Sequence, residues 1–241
     1  MAFPMKKVKN EIFAFPSWPL SGAGMNAAES YVNVSGFFNI WSKFIEIPTR
    51  NMQVIDSKIK DSKILIISPP TDRGIKILPK ANANGETYLL CFSERLERIA
   101  QRYSQKQGTI NLKISTSPFF EIPFGEGYFD IIFANCFFDF CRDVDFDKII
   151  REMKKALNSQ GLFFSIYMDF PSRFGENVWF HFFKIFPLLS QGCHPVNIKP
   201  GLKKGNLILK KELSMRRFGF PMKYIIAEKF LIYDKKTKGD E

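Results

Sequence analysis

The sequence predicts an α/β fold built on a doubly wound parallel sheet. Three observations carry that expectation. Short apolar runs alternate with amphipathic stretches from Lys63 to Met168, and such runs suit strands buried on both faces by crossover helices. A helix-periodic region precedes the first run. Two longer strand-like segments, joined by a turn containing Pro221, close the chain as an antiparallel hairpin would.

The elements follow in order. Residues 1–20 place Pro4, Pro16 and Pro19 among aromatic residues and Lys6, Lys7 and Lys9, the texture of an irregular arm. From Asn26 to Lys60, Tyr31, Val34, Phe37, Phe38, Trp41, Phe44 and Ile45 recur at three- and four-residue steps and give one apolar helical face. Pro48 divides this region into two helices. Lys63–Ile67 is the first strand. The loop Ser68-Pro69-Pro70-Thr71-Asp72-Arg73-Gly74 follows it. Arg73–Lys80 is a short helix closed by Pro79 and the segment ANANG. Thr87–Phe92 is the second strand, and Ser93 caps a helix reaching Gln105. Asn111–Ser115 and Phe129–Asn135 are the third and fourth strands. Asp147–Leu157 is an amphipathic helix ended by NSQG, and Leu162–Met168 is the fifth strand. Residues 170–200 are rich in aromatics (Phe170, Phe174, Trp179, Phe180, Phe182, Phe183, Phe186) and helical as far as Pro187. Leu207–Arg217 and Lys223–Tyr233 complete seven strands. The chain thus divides into an arm and helical lid at 1–60, an α/β domain at 61–233 with an aromatic cap at 170–200, and a basic tail at 234–241.

Composition narrows the function. Phenylalanine occurs 27 times in 241 residues, which serves either a Phe-heavy core or the walls of a pocket for an apolar ligand. The net charge is +11. Lys199, Lys203, Lys204, Lys210, Lys211, Arg216, Arg217 and Lys223 fall in one window with a single acid, Glu212, and Lys235, Lys236 and Lys238 follow in the tail. An anionic membrane surface or an anionic substrate suits such a window. No nucleic-acid motif accompanies it. Cys91, Cys136, Cys141 and Cys193 form no C-x-x-C pair, and His181 and His194 are the only histidines, so no metal site is expected. Free thiols, and the lack of a signal-like or membrane-spanning run, predict a soluble cytoplasmic protein.

The segment IPFGEGYFDIIFANCFFDFCRDVDFDKIIREMKKALNSQGLFFSIYM, residues 122–168, resembles the class I S-adenosylmethionine-dependent methyltransferases. Pro123, Phe124, Phe129, Asp130, Glu152, Leu157 and Gly161 occupy the places of that family's PF…FD…E…L…G pattern. The segments CHPVNIKPGL and GFP…IIAEK look like those of its small quinone, lipid and natural-product enzymes. The resemblance implies a Rossmann-like fold with S-adenosylmethionine lying across the carboxyl ends of the strands. It also implies which positions meet the cofactor. The glycines of the first turn fall on Ser68, Pro70 and Asp72. The acid for the ribose hydroxyls falls on Cys91, with Glu94 near it. The acid for the adenine amine falls near Pro118, with Glu121 near it. Phe92, Phe119 and Phe137 would pack on adenine, Asn135 would border the cleft, and Tyr31 resembles the lid tyrosine, although Tyr31 and Trp41 equally suit a core stripe.

Methyl transfer asks a protein for positioning above all, and some members add a base. Asp139 and His194 are the candidates. Asp139 could equally cap a helix, and His194 could equally pack; His181 reads as structural. Two functions from different classes follow. One is an enzyme that methylates a small apolar or lipid-like acceptor. The other is a non-catalytic relative that uses the fold as a binding or scaffold module, which the loop Ser68–Asp72 and Cys91 favour. A nicotinamide oxidoreductase fits less well, because its turn also calls for G-x-G-x-x-G.

Overall fold

The computed structural model describes residues 48–118, 120–171, 178, 181, 185, 193–217 and 219–229. The arm at 1–20, Tyr31, Trp41, Phe119, most of the aromatic segment 170–186 and the tail lysines lie outside the described residues.

A helix over residues 48–57, α1, precedes the sheet. Then come β1 (Lys63–Ile67), α2 (Gly74–Ala81), β2 (Glu86–Cys91), α3 (Glu94–Gln107), β3 (Lys113–Thr116), β4 (Phe129–Asn135), α4 (Phe146–Ala156), β5 (Leu157–Met168), α5 (Lys199–Lys204), β6 (Leu207–Arg217) and β7 (Phe220–Lys229). The sheet order is β3-β2-β1-β4-β5-β7-β6. The strands from β3 to β5 run parallel, and β7 is antiparallel to both β5 and β6. The Rossmann-like sheet with an antiparallel closing hairpin is therefore as the sequence predicts.

Local chemistry explains the elements. Ile64, Leu65, Ile66, Phe133, Phe163 and Phe164 are buried in the centre of the sheet, where helices cover both faces. Ser93 Oγ accepts from Leu96 N at 3.3 Å and caps α3. Gly108, at φ 60°, ends that helix in the left-handed conformation that glycine adopts without a Cβ penalty. Asp130 ties three strands together, accepting from Lys63 N at 2.7 Å and from Asn158 Nδ2 at 2.5 Å.

Three boundaries differ from expectation. NSQG lies inside β5, because Leu157 pairs with Phe129 across a register shift and starts the strand early. Pro79 sits within α2 rather than closing it. β7 begins at Phe220, so Pro221 pairs with Arg216 inside the hairpin.

The window of basic residues is largely neutralised. Lys199 pairs with Glu212, Lys204 with Asp147, Lys210 with Glu228 and Lys211 with Asp56. Lys223 pairs with both Asp169 and Glu212. The sequence window holds one acid; folding brings four more to it. Among the described residues no helix is long and apolar enough to cross a membrane, and no group of His, Cys, Asp and Glu could hold a metal ion.

Candidate functional site at the switch point of the sheet

The chain runs outward from β1 through β2 to β3, then returns to the other side of β1 as β4. The carboxyl ends of β1 and β4 therefore flank the switch point, where open α/β sheets bind their ligands. Ser68 follows β1 there, and Asn135 ends β4.

Side chains of helix α1 reach both sides of this point. Arg50 Nε donates to Asp72 Oδ1 at 3.0 Å and Arg50 Nη2 to Asp72 Oδ2 at 2.5 Å, a two-pronged ion pair. Both side chains are 0% exposed. The Gly74 backbone N–H also donates to Asp72 Oδ1. One turn along α1, Gln53 Nε2 donates to Asn135 Oδ1 at 2.7 Å, and Asn135 Nδ2 donates back to Gln53 Oε1 at 3.2 Å. A further turn along, Asp56 accepts from Lys211 Nζ at 2.8 Å and from Tyr224 OH at 2.8 Å. Residues 50, 53 and 56 thus fasten one helix to the β1 turn, to β4 and to the closing hairpin. Spacings of three place them along the same side of α1.

The glycine of the β1 turn has a local cause. A Cβ on Gly74 would come within 2.7 Å of Asp72 Oδ1 and 3.4 Å of Arg50 Cδ. Gly74 is small because the ion pair occupies the space beside it.

The remaining positions singled out in the sequence lie close by. Ser68, Pro70 and Asp72 are all buried in the turn. Cys91 ends β2, and burial pushes its thiol up to about 12, so it stays a neutral thiol. Phe92 and Phe137 stack with ring centroids 5.6 Å apart. With Ile67, Phe120, Ile122, Ile149, Glu152 and Met153 they line a crevice of about 10 Å³. Glu94 and Glu121 are exposed.

Asp139 lies in a 3₁₀ turn, Phe138–Phe140, just past β4. Cys136 makes that turn possible by taking φ 49° directly after the strand, a costly conformation for a residue with a side chain. Asp139 Oδ1 accepts from Met168 N at 2.8 Å, and Asp139 O accepts from His194 N at 3.0 Å. Burial pushes the Asp139 carboxyl up to about 7 against the opposing pull of the Met168 N–H. Burial and the Asp139 charge raise the thiols of Cys141 and Cys193. The structure thus brings Asp139 and the His194 backbone together, whereas His181 is exposed.

The sequence did not single out Arg50, Gln53 or Tyr167. Arg50 and Gln53 carried a signal, as polar residues one turn apart in a helical stretch ahead of the first strand. Tyr167 carried none: it reads as one more residue of an apolar strand, yet its hydroxyl is buried and has no hydrogen-bond partner among the described residues.

Comparison with known proteins points the same way. A methyltransferase domain family matches residues 72–193. A S-adenosylmethionine-dependent methyltransferase from Aquifex aeolicus superposes with a TM-score of 0.56 at 14% identity, over 74% of this chain and 88% of the other. Magnesium protoporphyrin IX methyltransferase from Synechocystis PCC 6803, solved with bound S-adenosylhomocysteine, gives 0.59 at 12% identity, over 86% and 89%. The [4+2]-cyclase SpnF gives 0.64 at 11% identity, over 84% and 94%. No curated protein sequence matches the chain.

S-adenosylmethionine is the cofactor of this family, and in this structure the polar side chains nearest the β1 turn are bonded to α1. Asp72 and Arg50 are spent on each other, and Asn135 is spent on Gln53. The family match covers just over half of the 241 residues and runs from Asp72 through β4 and Asp139: the chain belongs to the methyltransferase domain family of class I S-adenosylmethionine-dependent enzymes.

Proposed function

We propose that this protein transfers a methyl group from S-adenosylmethionine to a small apolar acceptor that approaches the carboxyl ends of β4 and β5. One observation carries the choice of acceptor. The side chains around those strand ends are aromatic and apolar, with Phe137, Phe138, Phe140, Ile166 and Met168 all buried there, and apolar walls select apolar ligands. Asp139 is the polar group set among them. A carboxyl titrating near 7 is suited to take a proton from an acceptor hydroxyl or amine at neutral pH. Pairing of five lysines with acids in the 199–223 window leaves a weaker field for an anionic membrane than the sequence alone implies.

A second reading is favoured by the ion pair in the turn: the fold serves as a binding or scaffold module, with the cleft kept as core. The experiment that separates the two is transfer of radiolabelled methyl from S-adenosylmethionine to a panel of phenols, quinols, aliphatic amines and hydrophilic metabolites, alongside calorimetric titration with S-adenosylhomocysteine. Label on the apolar members supports the proposal. Label on hydrophilic members alone overturns the acceptor class. Neither label nor heat, from wild type and from an Asp72→Asn variant whose turn is freed from Arg50, leaves the module reading.

A further inference from the structure

We infer that the free edge of β6 at Leu207–Leu209, together with the groove beside it, docks an extended segment of a partner protein in which apolar and acidic residues alternate. The inference stands apart from methyl transfer and from the switch-point cleft.

The sheet has two edge strands, β3 and β6. β3 is 4 residues long, and shortness is one way in which a sheet edge is kept from pairing with other chains. β6 runs for 11 residues. It pairs with β7 on one side and with no strand on the other among the described residues. Its outward backbone groups are the template that strand addition uses. β6 is also the one described strand that exposes large apolar side chains: Ile208 is 44% exposed, Leu209 38% and Leu213 36%. Exposed apolar groups gathered in one place mark interaction sites. The register with β7 shifts between Leu209 and Lys211, and such a shift interrupts an edge. Leu207–Leu209, ahead of the shift, pairs regularly with β7.

A groove of about 470 Å³ opens along this stretch, and Leu207, Ile208 and Leu209 all border it. Successive side chains of a strand point to opposite faces of the sheet. A groove bordered by three in a row therefore follows the edge and lies on neither face. Helix α5 supplies the other wall through Leu202, and Lys199 and Lys203 are the charged residues of the lining. Lys199 Nζ reaches Glu212 Oε1 at 3.2 Å. Lys203 is exposed and has no ion-pair partner among the described residues.

These features select the occupant. Free strand backbone calls for an extended peptide, the leucines call for apolar side chains, and Lys203 calls for a carboxylate. An anionic lipid surface meets the second and third demands and leaves the first unmet.

The test pans a displayed library of random linear peptides against the full chain and measures the enriched peptide by fluorescence anisotropy. Enriched peptides should alternate apolar and acidic residues. Binding should slow amide hydrogen exchange within residues 206–210 at least tenfold and leave β1 and β3 unchanged. Lys203→Glu, on an exposed position outside the sheet, should weaken binding about tenfold with exchange in the free protein unchanged. Of two synthetic versions N-methylated at alternate residues, one in each phase, one should lose at least tenfold in affinity. No enrichment over the bare matrix overturns the inference. So do enriched peptides without acids, protection away from β6, and affinity unchanged by Lys203→Glu or by both N-methylated peptides. Protection of 206–210 by phosphatidylserine vesicles, with no peptide enriched, overturns it in favour of a membrane surface. Protection that grows with protein concentration alone, again with no peptide enriched, overturns it in favour of a second copy of this chain.

Discussion

Asp139→Asn is the substitution whose effect the structure fixes most closely. The side chain is 3% exposed, and only one of its oxygens has a described partner, the Met168 N–H. The thiols of Cys141 and Cys193 and the phenol of Tyr167 lie around it, and none of these three is a cation that would reward a carboxylate. Folding therefore raises this carboxyl from 3.8 to about 7. The folded state then binds more protons than the unfolded state between those values, so the contribution to stability is fully present below pH 4 and is lost as pH rises through 7. Three units at about 1.4 kcal/mol each give a ceiling of about 4 kcal/mol. Asparagine keeps the oxygen that accepts from Met168 and never carries the charge. The variant should match wild type near pH 4 and exceed it above pH 7, by up to about 4 kcal/mol. Urea unfolding at pH 4.5, 6 and 8 reads this directly, because every other carboxylate titrates alike in both proteins and cancels in the difference. Parallel stability curves with a constant offset would refute the argument, since they would mean that Asp139 is solvated in the folded protein.

Two further predictions concern the buried polar groups. Gly74→Ala should cost about 1–3 kcal/mol in the wild-type background, because the new methyl meets the Asp72 carboxylate. In an Asp72→Ala background the same change opens α2 with a better helix former and should be neutral or stabilising by about 0.5 kcal/mol. A double-mutant cycle in urea reads the difference, and additive effects would mean that the ion pair does not set the glycine. Tyr167→Phe removes a buried hydroxyl that has no described partner, so stability should stay level or rise by about 1 kcal/mol; a loss of that size in thermal unfolding would reveal a hydrogen bond and refute the premise.

Most of the sheet was legible in the sequence, and the reason is local. A strand buried on both faces must be apolar along its length, and Ile64–Ile67 and Ile131–Ala134 are so wherever one reads them. The register at the ends was not legible. Whether Leu157 closes a helix or opens a strand depends on Phe129, which lies far back in the chain and pairs with it. The same limit holds for the lysines of 199–223. The sequence shows their crowding, and only the fold shows that Asp56, Asp147, Asp169 and Glu228 come to meet them.

The site obeys this rule in its sharpest form. The family resemblance pointed to Ser68, Asp72, Cys91 and Asn135, and Asp139 stood out because it follows the fourth apolar run, near the carboxyl ends of parallel strands where ligands lie. The partners of Asp72 and Asn135 could not be found, because both lie on α1. Arg50 meets a partner 22 residues away, Gln53 one 82 away, and Asp56 partners 155 and 168 away. No single window contains both halves of any of these contacts. A loop that has Asp72 where a cofactor turn has glycine reads, by itself, as damage to a ligand site. Beside Arg50 it reads as half of a buried ion pair, and breaking such a pair from one side costs about 3–5 kcal/mol. The departure from the glycine-rich turn thus goes with a contact inside the protein, since Asp72 of the unusual loop is held by Arg50 of the helix ahead of the first strand.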